Sequence, residues 1–397
     1  MAKDDLTTRT IKSIVKRIRS NPDITEHNKK LVTESLVEWL EASGGATGNG
    51  SDPKTIAKWL YGMEHAMQFF PKRTNFEKIT KSQMMKAIAE LNNSKYADWT
   101  KTTARMVVKA FYRHFFGSDI RIPEAVGFIK TGRPRNQIDG ADLLNEQEVL
   151  EVVKHLKNLR DKSAIAVIYD LALRSGETQI KMRDVNLAEG FIYIDGKTGR
   201  RKGWLSSFSI PFLSAYLNSV PDKKPDDWLW ADYNGNSLSP NAISIAFKRA
   251  CKAANIQKPR IWLYMLRHSR ITCWINRGVP MSAIKKQVGH TPGSNIAEAT
   301  YSHLTDGDTR EHILAAAGDQ VKVEPEPSIL KGWTCQYCGK LNGADARFCS
   351  GCGRPRDFAV AQQEATLEKT ALHAALDAKQ MDELVKEVAK KLKRGKK

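Results

Sequence analysis

Five short fragments carry residues that could act together on an anionic substrate: LALRSGE, GKTG, LRHS, VGH and TYSHL. They supply Arg174 and Glu177, Lys197, Arg267 with its neighbour His268, His290 and Tyr301, in that order along the chain. Two arginines can each present a planar fork of donors to charged oxygens, which a lysine does not duplicate. A phenol ionises near pH 10, so a nucleophilic Tyr301 needs a positive surrounding or an adjacent base. Each fragment alone also admits a structural account: a salt-bridged arginine, a solvated turn lysine, a satisfied turn histidine, a core tyrosine.

Taken in order, these fragments resemble the tyrosine recombinase family of phage integrases and chromosome-dimer resolving enzymes, over about residues 145–318. In that family an arginine ends a helix in a Leu-Arg-x-x-Glu context, a lysine lies in a β-turn, an arginine occurs within His-x-x-Arg-His, and Gly-His precedes the nucleophilic tyrosine. Two departures stand out. Tyr264 occupies the first position of His-x-x-Arg, as a non-histidine residue does in some archaeal integrases, and the interval from His290 to Tyr301 is longer than usual, with Pro292 and Gly293 in it.

The resemblance implies a site-specific recombinase or integrase of a viral or plasmid element, cutting DNA through a 3′-phosphotyrosyl bond on Tyr301. Arg174 and Arg267 would clamp the phosphate, and Lys197 would protonate the departing 5′ oxygen. His290 would hydrogen-bond the phosphate with Tyr264 assisting, and Glu177 would orient Arg174 or the neighbouring histidines. Arg200, Arg201 and Lys202 are expected to contact the DNA backbone. The link conserves the broken bond's energy, so no nucleotide cofactor is implied, and since cations do the work, no catalytic metal either. The partners would be double-stranded DNA and further copies of the chain, a dimer on a site and a tetramer in synapsis. Two other readings share many of these residues: a type IB topoisomerase-like relaxing enzyme, and a DNA-binding protein of the same fold that has lost catalysis.

A second constellation is Cys335, Cys338, Cys349 and Cys352, spaced C-x2-C-x10-C-x2-C with a glycine after each pair. Four thiolates on two knuckles complete a tetrahedral shell, so the spacing predicts structural zinc. The segment resembles zinc ribbons and small RanBP2-type fingers. Cys251 and Cys273 remain, as reduced thiols in helices.

The elements that must position these residues follow from periodicity. Apolar residues recur at helical spacing through Leu31, Leu36 and Leu40, through Ile56, Trp59, Leu60, Met63 and Met67, and over 81–91 and 100–116. Ser51 and Asp52 can cap the helix after a Gly-rich loop. Residues 1–118 therefore form a helical domain, which resembles the family's core-binding domain and would close over DNA as a clamp. A basic linker spans 119–142. The catalytic domain, 143–318, is helical with a small antiparallel sheet, read as FIYID and WLSSFSIP joined by the turn GKTGRRKG. A tether (319–332), a zinc ribbon (333–356) and a C-terminal helix with a basic end (357–397) complete a mainly α chain. In that helix Leu367, Ala371, Ala374, Ala378, Met381, Val385, Val388 and Leu392 trace a weak heptad seam.

Composition agrees with a nucleic-acid partner. The 397 residues are 41% hydrophobic, enough for well-buried cores, and 63 Lys and Arg against 44 Asp and Glu leave +19, spread along the chain. No run approaches the roughly 20 apolar residues of a membrane helix, and the first residues lack a signal's apolar core. The expectation is a cytoplasmic protein, nucleoid-associated when bound to DNA.

Overall fold

The computed structural model describes residues 2–43, 51–118, 121–132, 140–291, 293–294, 328–375, 380, 382–383 and 385–387. The chain divides into two compact units, Met1–Asn136 and Gln137–Lys397.

The first unit is helical. Its elements are α1 (Ala2–Ser20), α2 (Glu26–Lys30), a π turn (Leu31–Ser35), α3 (Leu36–Ser43), α4 (Pro53–Met67), α5 (Lys81–Asn93), α6 (Asp98–Phe116) and α7 (Glu124–Gly127). Asp52 caps α4 through Thr55 N at 2.7 Å, and Pro53 fits the first turn, where no N–H is required. The apolar face of α4 is buried at Ile56, Leu60 and Met63. Gly62 lets α4 and α6 approach closely: a Cβ there would lie 2.8 Å from Val107 Cγ2. Part of the segment read as linker belongs to this core, because Val126 and Ile129 are buried in it and Lys109 donates to Ile129 O at 2.8 Å.

The second unit opens with α8 (Glu146–Lys154), whose Asn145 and Glu148 form a reciprocal capping box. Helix α9 (Leu159–Asp170) runs through its core, with residues 163–170 all buried. Then come β1 (Val185–Asn186), β2 (Phe191–Gly196), β3 (Gly199–Trp204), α10 (Ser209–Asn218), α11 (Pro240–Ala253), α12 (Met265–Asn276) and α13 (Met281–Val288). Among the described residues the sheet is antiparallel in the order β1-β2-β3, with Ile194 opposite Arg201 and Gly196 opposite Gly199.

The hairpin differs from its sequence reading. GRRKG is strand rather than turn: the loop is only Lys197 and Thr198, and Gly199 takes the positive φ of +101° that so tight a return requires. WLSSFSIP contributes one strand residue and then enters α10, because Ser206 and Ser209 bond Asp170 of α9 instead of extending the ladder. Asp170 also receives Arg270 of α12 at 2.8 Å, a buried pair that fastens α9, α12 and the start of α10 together.

The tether's last residues are docked on the catalytic core. Leu330 is buried in that core, Ser328 Oγ donates to Glu146 Oε1 at 2.8 Å, and Gly332 N donates to Ser207 Oγ. Strands β4 (Trp333–Thr334) and β5 (Leu341–Asn342) form the cysteine module's ladder, and α14 (Phe358–Ala375) follows, capped by Asp357. Arg347 joins the module to this helix through Gln363 and Glu364. Of the heptad positions, Leu367, Ala371 and Ala374 lie on α14 and Val385 beyond it; Ala378, Met381, Val388 and Leu392 are outside the described residues.

Candidate active site and metal centre

Arg174 is positioned by the way α9 ends. Ala172 adopts a left-handed φ of +48°, turning the chain so that Arg174 is extended before a single 3-10 turn, Ser175–Thr178. Glu177, in that turn, accepts from Arg174 N at 2.9 Å and from its Nη1 at 2.7 Å. Burial would raise the Glu177 carboxyl, but the hydrogen bonds from Arg201 and Arg174 outweigh it and hold the group below the usual carboxylate range. It is a charged strut that touches Arg174 at both main chain and side chain.

Arg267 comes from the first turn of α12, with Tyr264 at the N-cap, and is 1% exposed. It donates to Ala172 O, to Val288 O at 3.1 Å and to His290 Nε2 at 3.1 Å. A guanidinium has no acceptor, so His290 Nε2 carries the lone pair and its ring proton sits on Nδ1. The Tyr264 ring lies 5.9 Å from Arg267 Cζ and meets His268 edge to face at 4.6 Å. Burial, then the adjacent Arg267 charge, pushes His268 down to about 4, so it is neutral near pH 7.

The end of α13 closes the group. Gly289 has a φ of +65°, the left-handed cap in which glycine avoids a Cβ clash, and His290 N then reaches back to Lys285 O at 2.9 Å. This turn directs two carbonyls at the arginines. Val288 O accepts from both Arg267 and Arg174, and Gly289 O accepts from Arg174 Nη2 at 3.2 Å and from Thr198 Oγ1 at 3.1 Å. The Thr198 bond brings the hairpin turn to the clamp, with Lys197 exposed beside it.

Arg174, Glu177, Arg267 and His290 are thus brought together, with Tyr264 against Arg267 and Lys197 on the adjoining turn. Tyr301 lies outside the described residues. One expectation is corrected: Arg201 is not a DNA-backbone contact. Its side chain is only 10% exposed and spends its donors on Glu177 and on Gln287 O. Period-two alternation would have shown this once GRRKGW was recognised as strand, because Arg201 shares the inner face with Ile194 and Gly203. On the outer face, Arg200 pairs with Asp184 at 2.7 Å and Lys202 Nζ lies 4.2 Å from the Phe191 ring centroid.

In the cysteine module the two knuckles repeat one geometry. Cys335 N bonds Lys340 O and Gly339 N bonds Cys335 O; Cys349 N bonds Arg354 O and Gly353 N bonds Cys349 O. Gly339 and Gly353 take φ of +70° and +72°. The four sulfurs lie within 4.8 Å of one another, with Cys335 to Cys352 at 3.6 Å and Cys338 to Cys349 at 3.4 Å. A tetrahedron with Zn–S bonds of about 2.3 Å has edges of about 3.8 Å, so the donor set fits a metal. Gly351 N and Asn342 Nδ2 both donate to the Cys349 sulfur.

Comparison with known proteins agrees with this architecture. Residues 142–307 match the phage integrase family. The chain is 27% identical over 292 residues to tyrosine recombinase XerA of Pyrococcus horikoshii, covering 72% of this chain and 93% of the relative. It is 22% identical over 295 residues to tyrosine recombinase XerD of Staphylococcus saprophyticus, covering 70% and 96%. Among solved structures, XerH recombinase in a post-cleavage complex with a palindromic difH substrate has a TM-score of 0.54 at 18% identity, over 78% of this chain and 97% of that one. A lambda integrase dimer bound to a core site has a TM-score of 0.51 at 16% identity, over 65% and 94%. The family match and these relatives together define a tyrosine-type DNA breaking and rejoining enzyme. Residues 142–307 belong to the phage integrase family, and the enzyme is of the tyrosine recombinase type.

Proposed function

We propose that this tyrosine recombinase cuts and rejoins double-stranded DNA at specific sites with Tyr301 as nucleophile. The observation that carries this reading is the convergence of Arg174 and Arg267 on Val288 O, with His290 on the second guanidinium. In that arrangement two fixed forks face the non-bridging oxygens of one phosphate, where negative charge grows as the pentacoordinate state forms. Glu177 keeps Arg174 in place, and His290 adds a hydrogen bond to the phosphate with Tyr264 at its flank.

Tyr301 Oη loses its proton to a neighbouring base or to water and bonds to phosphorus. The bond to the 5′ oxygen breaks, and Lys197 supplies that oxygen's proton. A 5′ hydroxyl of the exchanging strand reverses the sequence, so no nucleotide cofactor enters. DNA is gripped by the helical first unit and the catalytic unit, in a dimer on each site and a tetramer during exchange. Zinc bound by Cys335, Cys338, Cys349 and Cys352 holds the two knuckles together, and the reacting phosphate is left to the arginines.

A nicked duplex that loses its 5′ segment on cleavage traps the covalent intermediate. Digestion and mass mapping should find DNA on Tyr301. Attachment at any other residue overturns the assignment.

A further inference from the structure

Arg201 lies where three parts of the proposed machinery meet. Its Nη2 and Nη1 donate to the two Glu177 oxygens at 2.9 and 3.2 Å, and its Nε donates to Gln287 O at 3.0 Å. Glu177 fixes Arg174 at both main chain and side chain. Gln287 directly precedes the two carbonyls that receive the clamp arginines. Its side-chain amide also pairs with Trp204 N and O, at 3.2 and 3.0 Å, much as a neighbouring strand would. The guanidinium is slotted between two glycines: a Cβ at Gly196, beside the hairpin turn, would lie 3.0 Å from Arg201 Nη1, and one at Gly289, before His290, only 2.9 Å.

We infer that Arg201 is a positioning residue that sets the hairpin turn bearing Lys197 in register with the Arg174–Glu177 clamp, so that acid and clamp address the same phosphate. The inference rests on the function proposed above. Three donors in a planar fork are needed to span a carboxylate and a carbonyl at once; a lysine ammonium has the charge without that reach in two directions. Without Arg201, Glu177 keeps its bonds to Arg174, and the turn is tied to the clamp chiefly through Thr198. The displacement therefore falls mainly on Lys197, and proton delivery to the 5′ oxygen suffers more than phosphate binding.

A substrate with sulfur in place of the bridging 5′ oxygen tests this, because a thiolate departs without a proton. Wild type, Arg201→Ala and Arg201→Lys are compared in single-turnover cleavage at saturating protein, on nicked duplexes with either bridging atom. Lys197→Ala and Arg174→Ala serve as reference profiles. Both Arg201 variants should bind DNA within about threefold of wild type and cleave the oxygen substrate about 100-fold more slowly. The sulfur substrate should restore at least about tenfold of that loss, as it does for Lys197→Ala.

Equal losses on both substrates, a loss confined to affinity, or unchanged rates would each overturn the inference. Should Arg201→Ala fail to fold, Arg201→Lys decides, since it keeps the stem and the charge. A wild type that forms no phosphotyrosyl bond on either substrate overturns the recombinase reading and this inference with it, an outcome separate from a defect seen only in the variants.

Discussion

Arg174 and Arg267 donate to one backbone oxygen, that of Val288, at 3.2 and 3.1 Å. The two residues are far apart in sequence and come from different elements, yet the carboxyl end of α13 aligns them. That end carries the negative pole of the helix dipole, so it attracts both guanidiniums before any phosphate arrives. Arg267 is the more deeply held, and its removal would leave Ala172 O short of a donor in a buried site and Val288 O with Arg174 alone.

Replacing either arginine by lysine should therefore slow formation of the covalent complex by at least about 100-fold, the scale of losing one preorganised donor. Single-turnover trapping on a nicked duplex checks this. Arg267→Lys should also melt earlier than Arg174→Lys, because the second side chain is 28% exposed and water can replace part of what it loses. Rates within a few-fold of wild type for both would remove these residues from the clamp.

Gly289 offers a backbone test of the same relationship. Any other residue at φ +65° meets the left-handed penalty, about 1 kcal/mol, and here an added Cβ would also crowd Arg201 Nη1 at 2.9 Å. Gly289→Ala should lower stability by about 1–2 kcal/mol and reduce cleavage further still, because the carbonyls that align both arginines flank this peptide. Denaturant titration and trapping, measured on the same preparation, separate the two effects. Normal cleavage by a destabilised Gly289→Ala would mean that the α13 cap serves folding alone.

Much of this arrangement was legible in the sequence, for identifiable reasons. The helices of the first unit announced themselves because their apolar residues fall on one face and because Asp52 is a strong cap. Arg174, Glu177, Arg267 and His290 were recognised by order and local context, and the coordinates bring them together. Arg201 was misjudged because three successive basic residues look solvated until the strand's alternation is known. The docking of 328–332 was hidden because it depends on Glu146, a distant carboxylate that also receives Arg277 at 2.7 Å. Prolines at Pro325 and Pro327 suggested a free tether, and only tertiary contact shows where its end is held.

The cysteine module should bind one zinc ion per chain. Its small ladder and two knuckles contain too little apolar surface to stay folded unaided, so metal ligation should supply most of its stability. Strong chelation should release the ion and expose four additional reactive thiols, those of Cys335, Cys338, Cys349 and Cys352, while the helical signal of the two larger units persists. Metal analysis and thiol titration read this out together. Full thiol reactivity before chelation, with no metal recovered from protein purified under reducing conditions, would show that the knuckles close without an ion.

His268 gives a prediction in pH. Burial foremost, then the charge of Arg267, holds its imidazole at about 4, against 6.5 in the open chain. Between those values the unfolded chain binds a proton that the folded chain refuses, so acid favours unfolding. The stabilisation is complete above pH 6.5 and is lost as pH falls toward 4, about 3 kcal/mol in all. Glu177 adds its own loss in the same direction, but at lower pH, because its folded value lies below the usual carboxylate range. A comparison between about pH 7 and pH 5 therefore reads the buried histidines, His268 together with His114, whose imidazole burial also lowers. His268 should account for about 2 kcal/mol of the loss over that interval, and His268→Gln, which keeps only the titration of the other groups, should lose less than wild type by about that amount. Parallel stability curves for the two proteins would show that His268 takes up its proton in the folded state as readily as in the unfolded one.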